Sequence, residues 1–100
     1  MIDLSEENLA IVKGILREYV PDLPVWVFGS RIKGTAKKYS DLDLAVITQQ
    51  PMSIRLQADI EEAFSESDLP IFVDVIDWAS CSEDFKRIIL QQYEVLQTGS

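Results

Sequence analysis

One segment of the chain, residues 25–47, joins two apolar runs through a polar and basic connection. The first run ends in Gly29-Ser30, and the second opens on two carboxylates, Asp41 and Asp43. Short apolar runs bounded by turn residues are typical of buried strands. The segment therefore predicts a strand, an anion-binding turn and a second strand, which together would bring a phosphate cradle beside a divalent-metal site.

The two aspartates are expected to share one face of the second strand, because strand side chains alternate between faces. Their Cα atoms would then lie about 6.6 Å apart, twice the rise per residue. At an effective dielectric of about 20, two such charges repel by about 2.5 kcal/mol. Solvent, protonation of one aspartate or a bound cation would offset this repulsion. Asp41 and Asp43 are therefore candidate Mg²⁺ ligands, and a solvated strand end is the alternative for this pair taken alone.

Gly29 and Ser30 are candidates for binding phosphate groups. Gly29 has no side chain, so its backbone can turn sharply and approach a ligand closely. Ser30 supplies a hydroxyl and a backbone N–H, and the first N–H groups of a helix that begins here would be free to bind an anion. The alternative is an ordinary strand-to-helix turn capped by Ser30.

A cluster of basic residues follows the Gly-Ser pair. It holds four of the nine basic residues, namely Arg31, Lys33, Lys37 and Lys38. Its place beside Ser30 favours phosphate contact, and a solvated loop is the alternative. The chain as a whole has a net charge of −8, which argues against a sequence-independent nucleic-acid binder. We therefore expect no direct nucleic-acid partner.

Helix and strand signals surround the central segment. Ser5 is a typical helix cap, and Ser80 with Glu83 fits a capping box. The predicted order is a helix from Ser5 that ends at Pro21, a strand Val25–Phe28, a short helical turn and loop to about residue 40, a strand from Asp41 or Leu42 to Ile47, a helix from Ser53 to Ser65, a strand Ile71–Ile76, and a helix that carries Phe85, Ile88, Ile89 and Tyr93. This order predicts an α/β (α+β) fold, a small mixed sheet with helices mainly on one face, in a single domain over residues 1–100.

Composition excludes several classes of site. Cys81 is the only cysteine and histidine is absent, which excludes a disulfide framework, a Cys/His zinc site and histidine-based catalysis within one chain. No signal-like segment and no apolar run of membrane-spanning length is present. We expect a cytoplasmic protein without a membrane partner.

Gly29-Ser30, ten intervening residues and Asp41-Leu42-Asp43 together resemble the DNA polymerase beta-type nucleotidyltransferase superfamily. The longer sequence around this motif is similar to that of the minimal nucleotidyltransferase branch, whose members are often antitoxin-like partners of a HEPN-domain protein. The resemblance implies ATP, Mg²⁺ and a mixed sheet with the carboxylates on its open side.

The resemblance also implies a third acidic residue on a neighbouring strand, which acts as general base. Asp74 fits this position, because it lies inside an apolar run where a buried charge needs a partner or a metal. A salt-bridged strand residue is the alternative for Asp74. Asp77 lies three residues after Asp74, so its side chain would be on the opposite face of the strand. We expect Asp77 to be solvated or to cap a neighbouring segment.

In the mechanism that the resemblance implies, the metal ligands are Asp41, Asp43 and Asp74, and the nucleotide-binding residues are Gly29, Ser30, Arg31, Lys33 and Lys38. The predicted reaction moves a nucleoside monophosphate, AMP from ATP, to a hydroxyl on a HEPN-type partner protein. The alternative is a non-catalytic nucleotide-binding antitoxin subunit that neutralises its partner by forming a complex. Because the short chain has no obvious acceptor-binding domain, we expect a second subunit or a homo-oligomer to supply that surface.

Overall fold

The computed structural model describes residues 2–99. Helices and strands alternate along most of the chain. In chain order they are α1 (Glu6–Tyr19), β1 (Val25–Phe28), α2 (Ser30–Lys33), β2 (Leu42–Val46), α3 (Ile54–Ser65), β3 (Val73–Asp77), a 3-10 helix (Trp78–Ser80), α4 (Glu83–Gln91) and β4 (Glu94–Gln97).

Serine caps begin the two long helices where the sequence predicts them. The Ser5 hydroxyl accepts a hydrogen bond from the Asn8 N–H at 3.1 Å, and the Ser53 hydroxyl accepts one from the Leu56 N–H at 3.0 Å. Each cap satisfies an N–H that has no acceptor within its own helix. The predicted starts of α1 and α3 are confirmed.

The four strands form one mixed sheet in the order β3-β2-β1-β4. β1 is antiparallel to both β2 and β4, whereas β2 and β3 are parallel. In this register Asp43 lies opposite Phe28 on one side and opposite Asp74 on the other. The mixed sheet with its helices confirms the predicted fold class.

Alternation along the strands separates the two faces of the sheet. One face is fully buried and includes Val27 and Leu44, which are register partners. Its residues join the apolar stripes of α1 and α3 in a core whose fully buried large side chains are Val12, Leu16, Val25, Val27, Leu42, Leu44, Val46 and Ile60. The opposite face carries Phe28, Asp43 and Asp74, so the carboxylates are directed away from this core.

α4 packs on the face that carries the carboxylates. The ring of Phe85 meets the ring of Phe28 edge-on, with centroids 5.9 Å apart. Just beyond the helix, the Gln92 side-chain amide donates a hydrogen bond to the Ile32 carbonyl at 3.2 Å. These contacts place α4 beside the segment that follows β1.

The C-terminal segment differs from its prediction. The cap of α4 is Ser82, whose hydroxyl accepts from the Phe85 N–H at 3.1 Å, so the box predicted at Ser80 is wrong. The helix ends at Gln91, and Tyr93 lies outside it. The following strand β4 was not predicted, because an apolar residue at the helical spacing of Tyr93 continues the stripe of α4. Pairing with β1, a contact distant in sequence, makes this segment a strand.

Smaller differences concern strand ends. β2 begins at Leu42 and ends at Val46, one residue before the predicted end at Ile47. β3 begins two residues later than predicted, at Val73, and continues to Asp77.

Across residues 2–99, none of the helices has the length and apolar character that crossing a membrane requires.

Candidate active site

Gly29 forms the turn at the end of β1 and has a backbone that only glycine adopts easily. Its φ of 83° and ψ of −157° lie in a region that strains residues with a side chain. A Cβ atom at this position would lie 3.2 Å from Cγ of Asp43 and would overlap its Oδ2 oxygen. Gly29 therefore allows the chain to pass directly beside the Asp43 carboxylate before α2 begins.

Asp43 and Asp74 lie side by side on the two parallel strands. They are register partners, so their backbones are separated by about 4.8 Å and their side chains share a face. Partial burial raises the pKa of Asp43, and the negative charges of Asp74 and Asp41 raise it further. The parity argument that selected Asp74 from the sequence thus agrees with the observed register.

Asp41 lies one residue before β2 and is exposed. It is therefore not held by the strand ladder, unlike Asp43, although the sequence left Asp41 or Leu42 as the first strand residue. Its charge still reaches Asp43, because it is among the causes that raise the pKa of that carboxyl.

No metal cluster is already assembled in the part of the chain that the structure describes. Among residues 2–99, no group of three or more His, Cys, Asp or Glu side chains is placed to hold an ion. The donor chemistry of the carboxylate pair nevertheless fits Mg²⁺, which prefers carboxylate oxygens. A dication beside Asp43 would also offset the repulsion that raises its pKa. The three aspartates are thus compatible with Mg²⁺ in charge and ligand type.

The basic cluster divides into exposed and buried members. Lys33, Lys37 and Lys38 are exposed, so these side chains are accessible to solvent. Arg31, in contrast, is only 7% exposed. Its guanidinium donates hydrogen bonds to the backbone carbonyls of Asp3, Lys37, Lys38 and Ser40. We therefore correct the expectation that Arg31 contacts phosphate, because its donors are directed into the protein.

Asp77 belongs to a different hydrogen-bond network. Its carboxylate accepts from the Thr48 hydroxyl, from the Met52 N–H at 2.7 Å and from the Ser80 hydroxyl at 3.0 Å. Partial burial opposes ionisation of Asp77, but these hydrogen bonds outweigh it and lower its pKa. Asp77 thus joins the ends of β2 and β3 to the following loops, and it is directed away from the Asp43–Asp74 pair.

Sequence reasoning missed two contacts of this site. The first is the close approach of Gly29 to Asp43, for which the only signal was a glycine at a strand end. The second is the burial of Arg31, which the motif placed among exposed lysines. The sequence does not indicate that residues 37–40 pack around the Arg31 guanidinium.

A protein that moves nucleotidyl groups needs acidic residues beside a place for phosphates, and the structure brings the carboxylates of Asp43 and Asp74 together beside the turn at Gly29. Paired carboxylates on a mixed sheet are typical of nucleotidyltransferases. The sequence model of the family "Polymerase beta, Nucleotidyltransferase" matches residues 11–99, and the chain belongs to this family.

Relatives of known sequence or structure support this assignment. The chain is 57% identical over 96 residues to the "Probable protein adenylyltransferase MntA" of Haemophilus influenzae, an alignment that covers 96% of this chain and 84% of that protein. It resembles a chain in a crystal structure of a toxin–antitoxin with AMP-PNP, with 26% identity and a TM-score of 0.77, over 93% of this chain and 75% of that one.

A third comparison concerns the fold alone. A chain in a structure of the tri-AMPylated Shewanella oneidensis HEPN toxin in complex with MNT antitoxin is 23% identical to this one. The two superpose with a TM-score of 0.71, over 95% of this chain and 73% of the other. The overall fold of this chain therefore recurs in a solved structure.

Proposed function

We propose that this chain transfers AMP from ATP to a hydroxyl on a HEPN-type partner protein, and that it acts as the antitoxin component of the pair. The relative that is 57% identical is named as a probable protein adenylyltransferase, and a neighbour of similar fold is a toxin–antitoxin structure that contains AMP-PNP. Because the reaction consumes ATP, the proposal places it in the cytoplasm.

The observation that carries the proposal is the position of two carboxylates beside a glycine turn. Asp43 and Asp74 are register partners, and the Gly29 backbone passes within side-chain contact of Asp43. A site of this kind lets phosphate groups approach the backbone where no side chain intervenes, with acidic residues directly alongside.

The proposed metal is Mg²⁺, and the residues that would hold it are Asp41, Asp43 and Asp74. When bound, such an ion stabilises the charge that develops on phosphate oxygens during displacement. The N–H and hydroxyl of Ser30, with the Gly29 backbone, would bind the terminal phosphates.

Two exposed lysines complete the proposed nucleotide site. Lys33 and Lys38 follow Ser30 in the chain and are exposed, and their charges would offset that of the triphosphate. Arg31 is excluded from this set by its burial and its contacts with backbone carbonyls.

Asp74 is the proposed general base. Its carboxylate would accept the proton of the acceptor hydroxyl as the hydroxyl oxygen forms a bond to the α-phosphorus. The bond from that phosphorus to the bridging oxygen breaks, and pyrophosphate leaves. Because a base acts in the transition state, Asp74→Asn is expected to slow transfer by about 10²-fold or more. Because Asp74 would also hold Mg²⁺, the variant should weaken Mg-ATP binding as well.

The proposal is tested with the purified chain and a HEPN-type partner. The mixture is incubated with labelled ATP, GTP, CTP or UTP, with Mg²⁺ or with EDTA, and the partner is examined for label. We expect label from ATP only with Mg²⁺, and little from the Asp43→Asn and Asp74→Asn variants. Asp59→Asn is the matched control, since this aspartate lies on α3 in a weak surface ion pair with Arg55 at 3.8 Å.

The second candidate function is neutralisation of the partner by complex formation alone. One finding favours it, since a neighbour of similar fold comes from a structure of a toxin–antitoxin. The two functions are separated by testing whether the double variant Asp43→Asn, Asp74→Asn still suppresses the toxicity of the partner. Full suppression, with no label on the partner in the wild-type reaction, would contradict the enzymatic proposal.

A further inference from the structure

The buried guanidinium of Arg31 connects three parts of the chain. It lies under the connection between α2 and β2 and is 7% exposed. Nη1 donates to the Asp3 carbonyl at 2.9 Å. Nε and Nη2 both donate to the Ser40 carbonyl, at 3.2 and 2.9 Å. Arg31 thereby joins α2, the N-terminal segment and the residue that precedes Asp41.

The same guanidinium organises a turn formed by residues 37–40. Nη2 also lies 3.3 Å from the Lys37 carbonyl and 3.1 Å from the Lys38 carbonyl. Within the turn, the Lys37 N–H donates to the Ser40 hydroxyl at 2.8 Å, and the Ser40 N–H donates to the Lys37 carbonyl at 3.1 Å. The carbonyls of this turn therefore converge on one buried side chain.

The backbone of Arg31 strengthens the link to the N-terminal segment. The Asp3 N–H donates to the Arg31 carbonyl at 2.7 Å, so Asp3 both donates to Arg31 and accepts from it. The neighbouring side chains Ile2 and Leu4 pack against the core. This packing holds the segment where its carbonyl can accept from the guanidinium.

We propose that Arg31 is a positioning residue of the nucleotidyltransferase site, and that it places Lys38 and Asp41 through the turn formed by residues 37–40. The inference rests on the proposed function, in which Lys38 contacts the triphosphate and Asp41 contacts the metal. The side chain of Arg31 itself contacts neither. Through Asp3, the N-terminal segment becomes part of the support of the site.

Asp41 depends on this arrangement more than Asp43 does. Asp43 is held on both sides by its strand partners Phe28 and Asp74. Asp41 lies outside the ladder, and the residue before it is anchored by the two hydrogen bonds from Arg31 to the Ser40 carbonyl. A loose turn would therefore displace Asp41 and leave Asp43 in place.

Arginine is suited to this role because its planar guanidinium offers donors on three nitrogens in a fixed geometry. Lysine keeps the charge but concentrates its donors on one flexible ammonium, which cannot span Asp3 and Ser40 in the same way. Arg31→Lys is therefore the informative variant. Arg55→Lys is the matched control, because the Arg55 side chain is 89% exposed.

The first measurement is amide hydrogen exchange of the nucleotide-free protein, which does not depend on activity. In Arg31→Lys we expect the amides of Lys37 and Ser40 to exchange about tenfold faster or more, as local opening of the turn requires. The Val27 and Leu44 amides, which lie in the central strands, should keep their wild-type rates. The control variant should match wild type at all four amides.

The second measurement is transfer as a function of Mg²⁺ concentration. Displacement of Asp41 should raise the half-saturating Mg²⁺ concentration by about tenfold, and a placement error of about 1 Å is enough for larger losses. A purely structural role would lower the melting temperature without changing this concentration. If Arg31→Lys does not fold, Ser40→Ala tests whether the turn places Asp41, since it removes the acceptor of the Lys37 N–H and keeps the carbonyl that accepts from Arg31. An unchanged half-saturating Mg²⁺ concentration in that variant would overturn the positioning role.

The outcomes separate the two proposals. Unchanged exchange at Lys37 and Ser40 in Arg31→Lys, combined with weaker ATP binding, would mean that Arg31 contacts phosphate directly and would overturn the positioning role. If the wild-type protein transfers no AMP, the proposed function fails. The exchange experiment would still show whether Arg31 orders the turn.

Discussion

Substitution of Gly29 by alanine tests the geometry of the site most directly. The added methyl group has two separate consequences in the structure. It places a side chain on a residue with φ of 83° and ψ of −157°, and it overlaps Oδ2 of Asp43. The first affects the backbone alone, whereas the second forces the Asp43 carboxylate to move.

The expected magnitude follows from these two contributions. A non-glycine residue in this backbone region costs about 1–3 kcal/mol. Relief of the overlap requires rotation of the Asp43 side chain away from its rotamer, which adds about 0.5–1.5 kcal/mol. We therefore expect Gly29→Ala to lower the free energy of unfolding by about 2–4 kcal/mol and to abolish AMP transfer.

Two other glycines provide matched controls. Gly34 has φ of 77° but open space around its missing Cβ, so Gly34→Ala should cost only about 1–2 kcal/mol from the left-handed backbone. Gly14 lies within α1 and also has open space. Gly14→Ala should stabilise the protein by about 0.5–1 kcal/mol.

The overlap itself is isolated by a double-mutant cycle with Asp43→Ala, measured by urea denaturation without metal. Removal of the Asp43 carboxylate also removes the atoms that the added methyl group would meet. Gly29→Ala should therefore cost about 0.5–1.5 kcal/mol less in the Asp43→Ala background than in the wild type. Equal costs in both backgrounds would refute the steric argument and leave backbone strain as the only consequence.

Three further predictions concern the surrounding residues. Asp43→Asn should stabilise the metal-free protein by about 1–2 kcal/mol, because it removes repulsion from Asp74 and Asp41; a lower melting temperature would contradict this. Asp77→Asn should destabilise it above the unfolded aspartate pKa of about 3.9, because hydrogen bonds lower the pKa of Asp77 in the folded state. That deficit should disappear as the pH falls through the folded pKa, so urea denaturation that shows a pH-independent deficit would refute it. Phe85→Leu should cost about 1 kcal/mol through its ring contact with Phe28, and an unchanged unfolding midpoint would show that this contact contributes nothing.

Local patterns were sufficient for most of the elements. Ser5 and Ser53 cap their helices through contacts only three residues away, so the signal and its physical cause lie in the same short segment. The apolar runs of β1 and β2 were likewise identified from the local sequence, because each is a short run bounded by turn residues. The parity rule selected Asp74 over Asp77, and the register places Asp74 opposite Asp43.

Contacts distant in sequence account for the differences. Tyr93 has the spacing of a helix, yet the chain leaves α4 at Gln91 because residues 94–97 complete the edge of the sheet beside β1. The local sequence of β4 contains no information about its pairing with β1. The charge of Asp74, which raises the pKa of Asp43, also acts across a strand pair that is distant in sequence. The sequence therefore does not show that these two carboxylates are neighbours.

Arg31 and Gly29 show most clearly what the sequence identifies and what only the tertiary structure decides. The motif identified both positions, because the glycine, the basic residues and the two aspartates together resemble the motif of the nucleotidyltransferase family. Only the fold assigns their roles, since it packs residues 37–40 and Asp3 around the guanidinium of Arg31 and brings β2 against the turn at Gly29. Residue types determine which chemistry is available to this chain, whereas tertiary contacts decide which side chains are left free to perform it.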